Sequence, residues 1–247
     1  MLTTTALAVT IVNINLNRIF AKFFIPRYPF LMLKFFLGLS VAVSGVLAFL
    51  FFHPQNISDN LVQVGRIIDG DTFIVTGNRQ IRLMSVNAPE PDLCGGQQAT
   101  EKLTELISGK KVRLVGDIND TFGRLLALVY VDDLLVNQEM ISSGWARFTS
   151  TASPESENLK AAFNLAKEDK VGIFSNLCLQ NTNPKNSKCN IKGNVREGKK
   201  TYFFPGCGNY SNVVLELDQG DQWFCSEAEA SEAGFAKAAN CYNKTYK

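Results

Sequence analysis

The sequence predicts an α+β fold: an OB-type five-stranded β-barrel with three helices, an N-terminal transmembrane or signal helix, and a small C-terminal α/β module. Three observations support this prediction. An uncharged apolar run lies near the N-terminus, strand patterns alternate with helix patterns in the middle, and four of the six cysteines lie beyond residue 188. The 25 Lys and Arg against 23 Asp and Glu do not by themselves indicate a nucleic-acid partner.

Residues 1–60 are interpreted as a targeting region. The run at 35–52 contains no charged residue, and at about 1.5 Å per residue it reaches roughly the hydrocarbon thickness of a bilayer. Cations precede the run and the first acid, Asp59, follows it, which predicts that the rest of the chain lies outside. A membrane anchor facing the periplasm or exterior is favoured over a cleaved signal peptide starting at Met32, which would give a secreted protein. A buried core helix is the least favoured interpretation.

Residues 61–179 are predicted to form the barrel domain. Short runs rich in β-branched residues indicate strands, Gly77-Asn78 indicates a hairpin, and apolar residues at helical spacing indicate helices. Ser153-Pro154 is expected to cap and begin the third helix. The predicted elements are strands at 62–68, 72–75 and 80–86, a helix at 97–108, strands at 111–115 and 125–131, a helix at 136–143, and the third helix.

A polar stretch at 180–188 is interpreted as a linker, and residues 189–247 as the small C-terminal module. Short strands are expected near 201–204 and 213–217, followed by a helix that Ser226 begins with a capping box. A segment of this size needs cross-links to fold.

The six cysteines indicate disulfides, because their number is even and all of them follow the apolar run. A zinc site is the weaker alternative, since the chain has no Cys-x-x-Cys pair. The candidates are Cys94, Cys178, Cys189, Cys207, Cys225 and Cys241.

The chain contains one histidine, His53, at the edge of the apolar run. This excludes Ser–His or Cys–His catalysis and a histidine-rich metal centre. A hydrolase built on this chain must therefore use carboxylates, arginines and a hard cation.

Three clusters supply those groups. Asp69 and Asp71 lie at a tight Asp-Gly-Asp-Thr turn, the segment 82–90 runs from a strand arginine to a carboxylate, and the segment 120–124 ends in a second arginine. Phosphodiester hydrolysis needs oxygen ligands for Ca²⁺ or Mg²⁺, guanidinium groups for the phosphate charge and a carboxylate for the attacking water. Each cluster alone also fits an ordinary turn, so their joint order carries the argument.

With these clusters, the chain closely resembles the staphylococcal nuclease (thermonuclease) family between about Val62 and Ser175. The resemblance covers Asp-Gly-Asp-Thr, the gap-free Arg-to-Pro-Glu segment, Phe-Gly-Arg, Val136-Asn137, Gly144-x-Ala146 and the ending at 172–174. It implies Ca²⁺-dependent cleavage of DNA and RNA, with single strands favoured, and the targeting region predicts that this cleavage takes place outside the cytoplasm. In such a reaction water attacks phosphorus, the 5′ oxygen leaves and 3′-phosphate products form.

The resemblance also implies residue roles. Arg82, Glu90 and Arg124 are the implied catalytic residues. The two arginines also bind the substrate phosphate, and the glutamate is the candidate general base.

The metal ligands implied by the resemblance are the side chains of Asp71 and Asn87 and the backbone carbonyl of Ala88. Asp69, in the same turn as Asp71, is expected to support the metal site without ligating the ion directly. Asn87 stands where the family usually has an acid, so one negative charge is missing. Calcium affinity falls with ligand charge, which predicts weaker binding or a preference for another divalent cation. The alternative function is a catalytically weakened nucleic-acid-binding module at the cell surface.

Phe122 is a second departure, because a tyrosine often occupies its position in the family. Its ring is expected either to bind substrate by stacking on a base or to pack in the core, and core packing is favoured.

The C-terminal segment resembles a small module appended to some bacterial secreted nucleases. That resemblance implies a Cys189–Cys225 pair, which leaves Cys207 with Cys241 and Cys94 with Cys178.

Overall fold

The computed structural model describes residues 61–149 and 153–246, so the predicted helix at 35–52 lies outside the described residues. The chain divides into two units, Met1–Ile57 and Ser58–Lys247, and every described residue belongs to the second. Within the described part, no helix has the length and apolar character needed to cross a membrane.

The first part of the fold is a closed barrel with helices packed against it. Its elements are β1 (Leu61–Ile67), β2 (Thr72–Val75), β3 (Arg79–Leu83), β4 (Val86–Asn87), α1 (Gly96–Ile107), β5 (Lys111–Asn119), β6 (Leu125–Val131), β7 (Leu134–Leu135), α2 (Val136–Ser142), β8 (Arg147–Phe148) and α3 (Ser156–Glu168). The sheet order is β3-β2-β1-β5-β6-β7, and a parallel β3–β6 pairing joins its ends. Five strands therefore form a ring with β7 outside it, which confirms the predicted barrel.

Alternating side chains determine which face of each strand lies in the core. In β3, Ile81 and Leu83 are buried while Arg82 between them is partly exposed. Leu125 and Ala127 of β6 are buried in the same way. Because side chains alternate across a strand, the intervening residues point away from this core.

Helix α1 closes one side of the barrel. Its buried residues, Ala99, Leu103, Leu106 and Ile107, recur at helical spacing and form one apolar face. Ser108 follows as the C-cap, and Gly109 has a φ of 70°, a left-handed conformation that glycine adopts without steric cost. The sequence therefore placed this helix to within about one residue.

The predicted beginning of the third helix is wrong. Helix α3 starts at Ser156 with Glu155 as its N-cap, and no side chain caps it. Ser153 lies before the helix, where its carbonyl accepts a hydrogen bond from the Ser156 hydroxyl at 2.7 Å and its own hydroxyl accepts one from the Glu155 amide at 3.2 Å. The serine–proline pair thus stabilises the turn that leads into the helix.

The C-terminal part of the fold is built on a second sheet. Its elements are β9 (Leu179–Gln180), β10 (Ile191–Arg196), β11 (Lys199–Phe203), β12 (Leu215–Glu216), β13 (Gln222–Phe224), α4 (Glu227–Glu232) and β14 (Ala236–Lys237). The sheet has the order β13-β10-β11-β14, and β9 pairs with β12 separately. Ser226 caps α4 by accepting a hydrogen bond from the Glu229 amide at 3.1 Å, as the capping box predicted. The domain limits at 179, 180–188 and 189 stay a prediction.

All six cysteines form disulfides, so no thiolate is left for the zinc alternative. The pairs have the connectivity that the resemblance implies: Cys94–Cys178, Cys189–Cys225 and Cys207–Cys241. The first pair lies beside the barrel, and the other two cross-link the C-terminal module.

Candidate active site

The turn between β1 and β2 carries the first cluster. The amides of Ile68 and Asp69 both donate to the Thr72 carbonyl, at 2.9 and 3.2 Å. The Asp69 carboxylate accepts a hydrogen bond from the Asp71 amide at 3.0 Å, and its support of a metal site stays a prediction. A Cβ atom on Gly70 would lie 2.5 Å from the Ala99 side chain, so only glycine lets this turn pack against α1.

The carboxylate of Asp71 is buried, with 3% of the residue exposed. One oxygen accepts hydrogen bonds from the Thr72 hydroxyl, at 2.8 Å, and from the Arg82 guanidinium. The other oxygen accepts a hydrogen bond from the Ala88 amide at 3.0 Å. Burial raises the pKa of Asp71 to about 6, although the arginine charge and the amide act in the opposite direction.

Arg82 brings two of the predicted metal ligands together. Its guanidinium forms an ion pair with Asp71 and also donates to the Asn87 side-chain oxygen at 2.9 Å. A carboxylate oxygen and an amide oxygen, separated by 16 positions in the sequence, therefore converge on one cationic group.

Carboxylate and amide oxygens are ligands that hard divalent cations prefer, and these two oxygens contact the same guanidinium group. Among the implied ligands, only the Asp71 side chain carries a negative charge. Across residues 61–149 and 153–246, no group of three or more His, Cys, Asp or Glu is arranged to hold a metal. A cation held here would have one charged ligand and would need water or substrate oxygens to complete its coordination.

A second arginine is fixed by the turn before β6. The Asp120 carboxylate accepts hydrogen bonds from the amides of Phe122 and Arg124, at 2.9 and 3.0 Å, and from the Arg124 side chain at 2.7 Å. Burial acts in the opposite direction, but these hydrogen bonds hold the pKa of Asp120 below its usual value. The carboxylate therefore stays ionised and orients the guanidinium.

The two arginines project from the same face of the barrel. In the parallel β3–β6 pair, Arg82 lies opposite Leu126. Arg124 precedes Leu126 by two positions, so its side chain points to the same side. The strands thus place both guanidinium groups on the face that also carries the Asp71 turn.

Phe122 does not pack in the core, so the favoured prediction for this residue is wrong. The residue is 82% exposed, because it lies at the tip of the turn and not inside the strand. Its ring lies 5.3 Å from the guanidinium carbon of Arg124. An exposed ring next to a guanidinium group can stack on a planar group such as a base.

Glu90 is exposed and follows the Asn87–Pro89 segment. Its backbone carbonyl accepts a hydrogen bond from the Leu93 amide at 2.9 Å. A Cβ atom on Gly96 would lie 1.9 Å from that carbonyl, so the loop folds tightly over the beginning of α1. The carboxylate is therefore held at the surface by a fixed backbone.

Arg147 was missed by the sequence analysis. It lies opposite Asn87 in the β4–β8 pair, and its side chain contacts Asp218 and Glu216 of the C-terminal module. Its partners lie about 70 positions away along the chain, and no local motif marks such a contact.

The closed barrel and the grouping of acids and arginines on it are the arrangement of a small-barrel nuclease. The family described as Staphylococcal nuclease homologue matches residues 80–176. The chain is 33% identical to an uncharacterized endonuclease of Escherichia coli O157:H7 over 133 residues, which cover 51% of this chain and 85% of that protein. It is 31% identical to the thermonuclease of Staphylococcus hyicus over 135 residues, covering 49% of this chain and 80% of that protein. With endonuclease YncB of Bacillus subtilis strain 168 it shares 35% identity over 130 residues, which cover 46% of this chain and 61% of that protein.

The chain belongs to the staphylococcal nuclease family. It is an endonuclease-type enzyme that hydrolyses nucleic acid.

Proposed function

We propose that this protein cuts DNA and RNA outside the cytoplasm in a reaction that depends on a divalent cation, Ca²⁺ first, and leaves 3′-phosphate ends. The observation that carries the proposal is the convergence of Asp71 and Asn87 on Arg82, with Arg124 on the same face. Single strands are the favoured substrate, because an exposed turn can reach an unpaired base more easily than a stacked one.

Asp71, Asn87 and the Ala88 carbonyl would hold the cation, which supplies charge neutralisation at a phosphate oxygen. Arg82 and Arg124 bind the other phosphate oxygens and stabilise the negative charge that gathers in the transition state.

Glu90 orients the attacking water and takes a proton from it. The water oxygen bonds to phosphorus while the bond from phosphorus to the 5′ oxygen breaks. The 5′ oxygen leaves and takes up a proton from solvent, Glu90 returns its proton to solvent, and the phosphate stays on the 3′ side. Phe122 stacks on a neighbouring base and positions the strand.

The location outside the cytoplasm is supported by the three disulfides, which persist in oxidising compartments. The proposal includes the anchor or signal role of residues 35–52, and the division into 61–179, the linker 180–188 and the module at 189–247.

A catalytically weakened nucleic-acid-binding module at the cell surface is the second candidate. One observation favours it: Arg82 hydrogen-bonds both Asp71 and Asn87, so the only charged ligand already has a cationic partner. Binding of single strands without divalent-stimulated cleavage would select this alternative.

The test is a cleavage assay on single-stranded DNA with added Ca²⁺. Glu90→Gln and Arg124→Ala should each lower kcat by about 10²- to 10⁴-fold, because they remove the base and a transition-state contact. The matched controls Glu101→Gln, on exposed α1 surface, and Arg79→Ala, exposed at the start of β3, should keep wild-type activity. Cleavage that survives chelation, or full activity in either site variant, would overturn the proposal.

A further inference from the structure

The strand that carries Asn87 is paired with a strand that the C-terminal module holds. Strand β4 pairs antiparallel with β8, so that Val86 lies opposite Phe148 and Asn87 lies opposite Arg147. The Thr149 amide extends the pairing by donating to the Ser85 carbonyl at 3.0 Å. Any shift of β8 therefore moves the backbone of a candidate metal ligand.

The side chain of Arg147 is fixed by two acids of the module. It donates two parallel hydrogen bonds to Asp218, at 2.7 and 3.0 Å, and forms an ion pair with Glu216 at 2.9 Å. The Asp218 side chain is fully buried. Burial opposes the charge of Arg147, but the two carboxylates outweigh that effect and raise its pKa above the usual value. A bidentate contact to a buried carboxylate fixes orientation as well as distance.

The same part of the module also contacts the residues that anchor the loop after Glu90. Strand β12 pairs with β9, and the Leu217 amide donates to the Cys178 carbonyl at 2.9 Å. Cys178 is bonded to Cys94, which lies four residues after Glu90. We call residues 215–218 the clasp. This short segment contacts Arg147, which lies opposite Asn87, and Cys178, which is bonded to the loop that follows Glu90.

The clasp is anchored in the module's sheet. The Glu216 amide donates to the buried Asp221 carboxylate at 2.8 Å, and the same carboxylate accepts a hydrogen bond from the Val195 amide of β10 at 2.7 Å. The clasp therefore moves with the module as a whole.

We propose that the C-terminal module positions the Asn87–Glu90 segment of the nuclease site, with Arg147 as the positioning residue that transmits this constraint. The inference rests on the proposed function of that site. Residues 88–95 form no helix or strand. The turn bond from the Leu93 amide to the Glu90 carbonyl shapes this loop locally, and the constraints at its two ends orient the Asn87–Glu90 segment relative to the rest of the site. Arg147 itself acts through Asn87 and is not assigned to the substrate.

The chain offers a matched control in Arg196. This residue forms ion pairs with Glu216 at 3.4 Å and with Asp221 at 3.1 Å, so it shares the clasp but belongs to β10 of the module. Arg147→Gln and Arg196→Gln each remove one arginine from Glu216. Only Arg147→Gln removes the ion pairs that join β8 to the module.

The first measurement is hydrogen exchange of the full-length protein without metal. Arg147→Gln should speed exchange of the backbone amides at 86–94 by about tenfold, whereas Arg196→Gln should leave them at the wild-type rate. Arg147→Lys keeps the charge without the bidentate geometry and should give an intermediate rate. It also serves as the test variant if the glutamine variant fails to fold. Wild-type exchange at 86–94 in the Arg147 variants, or equal acceleration by Arg196→Gln, would overturn the inference.

The second measurement is the Ca²⁺ dependence of kcat and KM on single-stranded DNA. Arg147→Gln should raise the half-saturating Ca²⁺ concentration by about tenfold, as loss of support behind a metal ligand does, while KM for DNA stays close to that of wild type. A general loss of stability would not move the Ca²⁺ requirement selectively, and an unchanged requirement would count against the positioning role. If wild-type protein shows no cleavage, the proposed function fails, and the exchange comparison still decides the inference.

Discussion

The barrel and the C-terminal module are stabilised in different ways. The barrel buries a continuous apolar cluster formed by its strands and α1, and a disulfide lies only at its edge. The module has a smaller apolar cluster, two disulfides, and three buried charged residues: Lys192, Asp218 and Asp221. A small domain buries too little apolar surface to fold on that basis alone, so cross-links and satisfied polar networks hold it together.

Lys192 shows how such a network works. The residue is 1% exposed, and its ammonium group donates hydrogen bonds to the Asn181 side chain and to the carbonyls of Val213 and Tyr210, at 2.7, 2.6 and 3.2 Å. It also lies 4.4 Å from the centre of the Tyr210 ring. Burial lowers the pKa of Lys192. One buried cation thereby joins the residue after β9 to the segment that leads into β12.

The largest expected effect comes from removing Arg82, the cation of the hydrogen-bonded cluster around Asp71. Arg82→Ala should lower kcat by about 10³-fold, because it removes a phosphate contact and leaves the buried Asp71 carboxylate without its cation. Steady-state kinetics and urea unfolding should show lost activity together with lost barrel stability. Arg79→Ala, on the same strand but exposed, is the control, and equal behaviour of the two variants would contradict the assignment.

The module should be more sensitive than the barrel to loss of its cross-links. Replacing Cys207 and Cys241 together with serine should cost the module about 2–5 kcal/mol. Hydrogen exchange resolved by region should show faster exchange in β10 and β11 and little change in β2 and β3. Uniform acceleration across both regions would mean that they do not differ in this way.

Removing the buried cation of the module should have a smaller effect. Lys192→Met leaves two carbonyls and one amide oxygen without a donor, so it should lower the free energy of unfolding by about 1–3 kcal/mol despite deleting a desolvated charge. Chemical denaturation measures this, with the exposed Lys199→Met as control. A stabilised Lys192 variant would show that desolvation outweighs the hydrogen bonds.

The smallest effect concerns pH and the barrel site. The pKa of Asp71 is raised to about 6, so the metal-free folded state favours its protonated form. The protonated carboxyl stabilises the folded state, and this stabilisation is complete below the usual pKa near 4. It is lost as pH rises through about 6, the pKa in the folded state. Cation binding needs the ionised form, so affinity for Ca²⁺ should fall about tenfold per pH unit below 6, as calorimetric titration between pH 5 and pH 7 can measure. Affinity that does not change with pH would place the ion elsewhere.

The sequence predicts the barrel well because the information is local. The alternation around Arg82, the spacing of Ala99 and Leu103, and the glycine turns each specify one element. The motifs around Asp71 and Arg124 likewise mark the candidate site, since each lies within a few residues of a turn.

Features that depend on distant contacts or on the exact length of a turn were not predictable in the same way. The exposure of Phe122 depends on how far the turn extends before β6 begins. The contact of Arg147 with Asp218 depends on how β9 and β12 pair, and the burial of Lys192 depends on irregular segments folding around it. Periodicity carries no signal for any of these.

The central claim is that Asp71 and Asn87 hold a cation that acts together with Arg82 and Arg124 on one phosphate group. A Ca²⁺-titrated cleavage assay comparing wild type with Asn87→Asp tests it most directly, because the substitution restores one negative charge at the ligand position. The account predicts that chelation abolishes cleavage in both proteins and that Asn87→Asp lowers the half-saturating Ca²⁺ concentration by about tenfold. Cleavage that is indifferent both to chelation and to the charge at position 87 would contradict it.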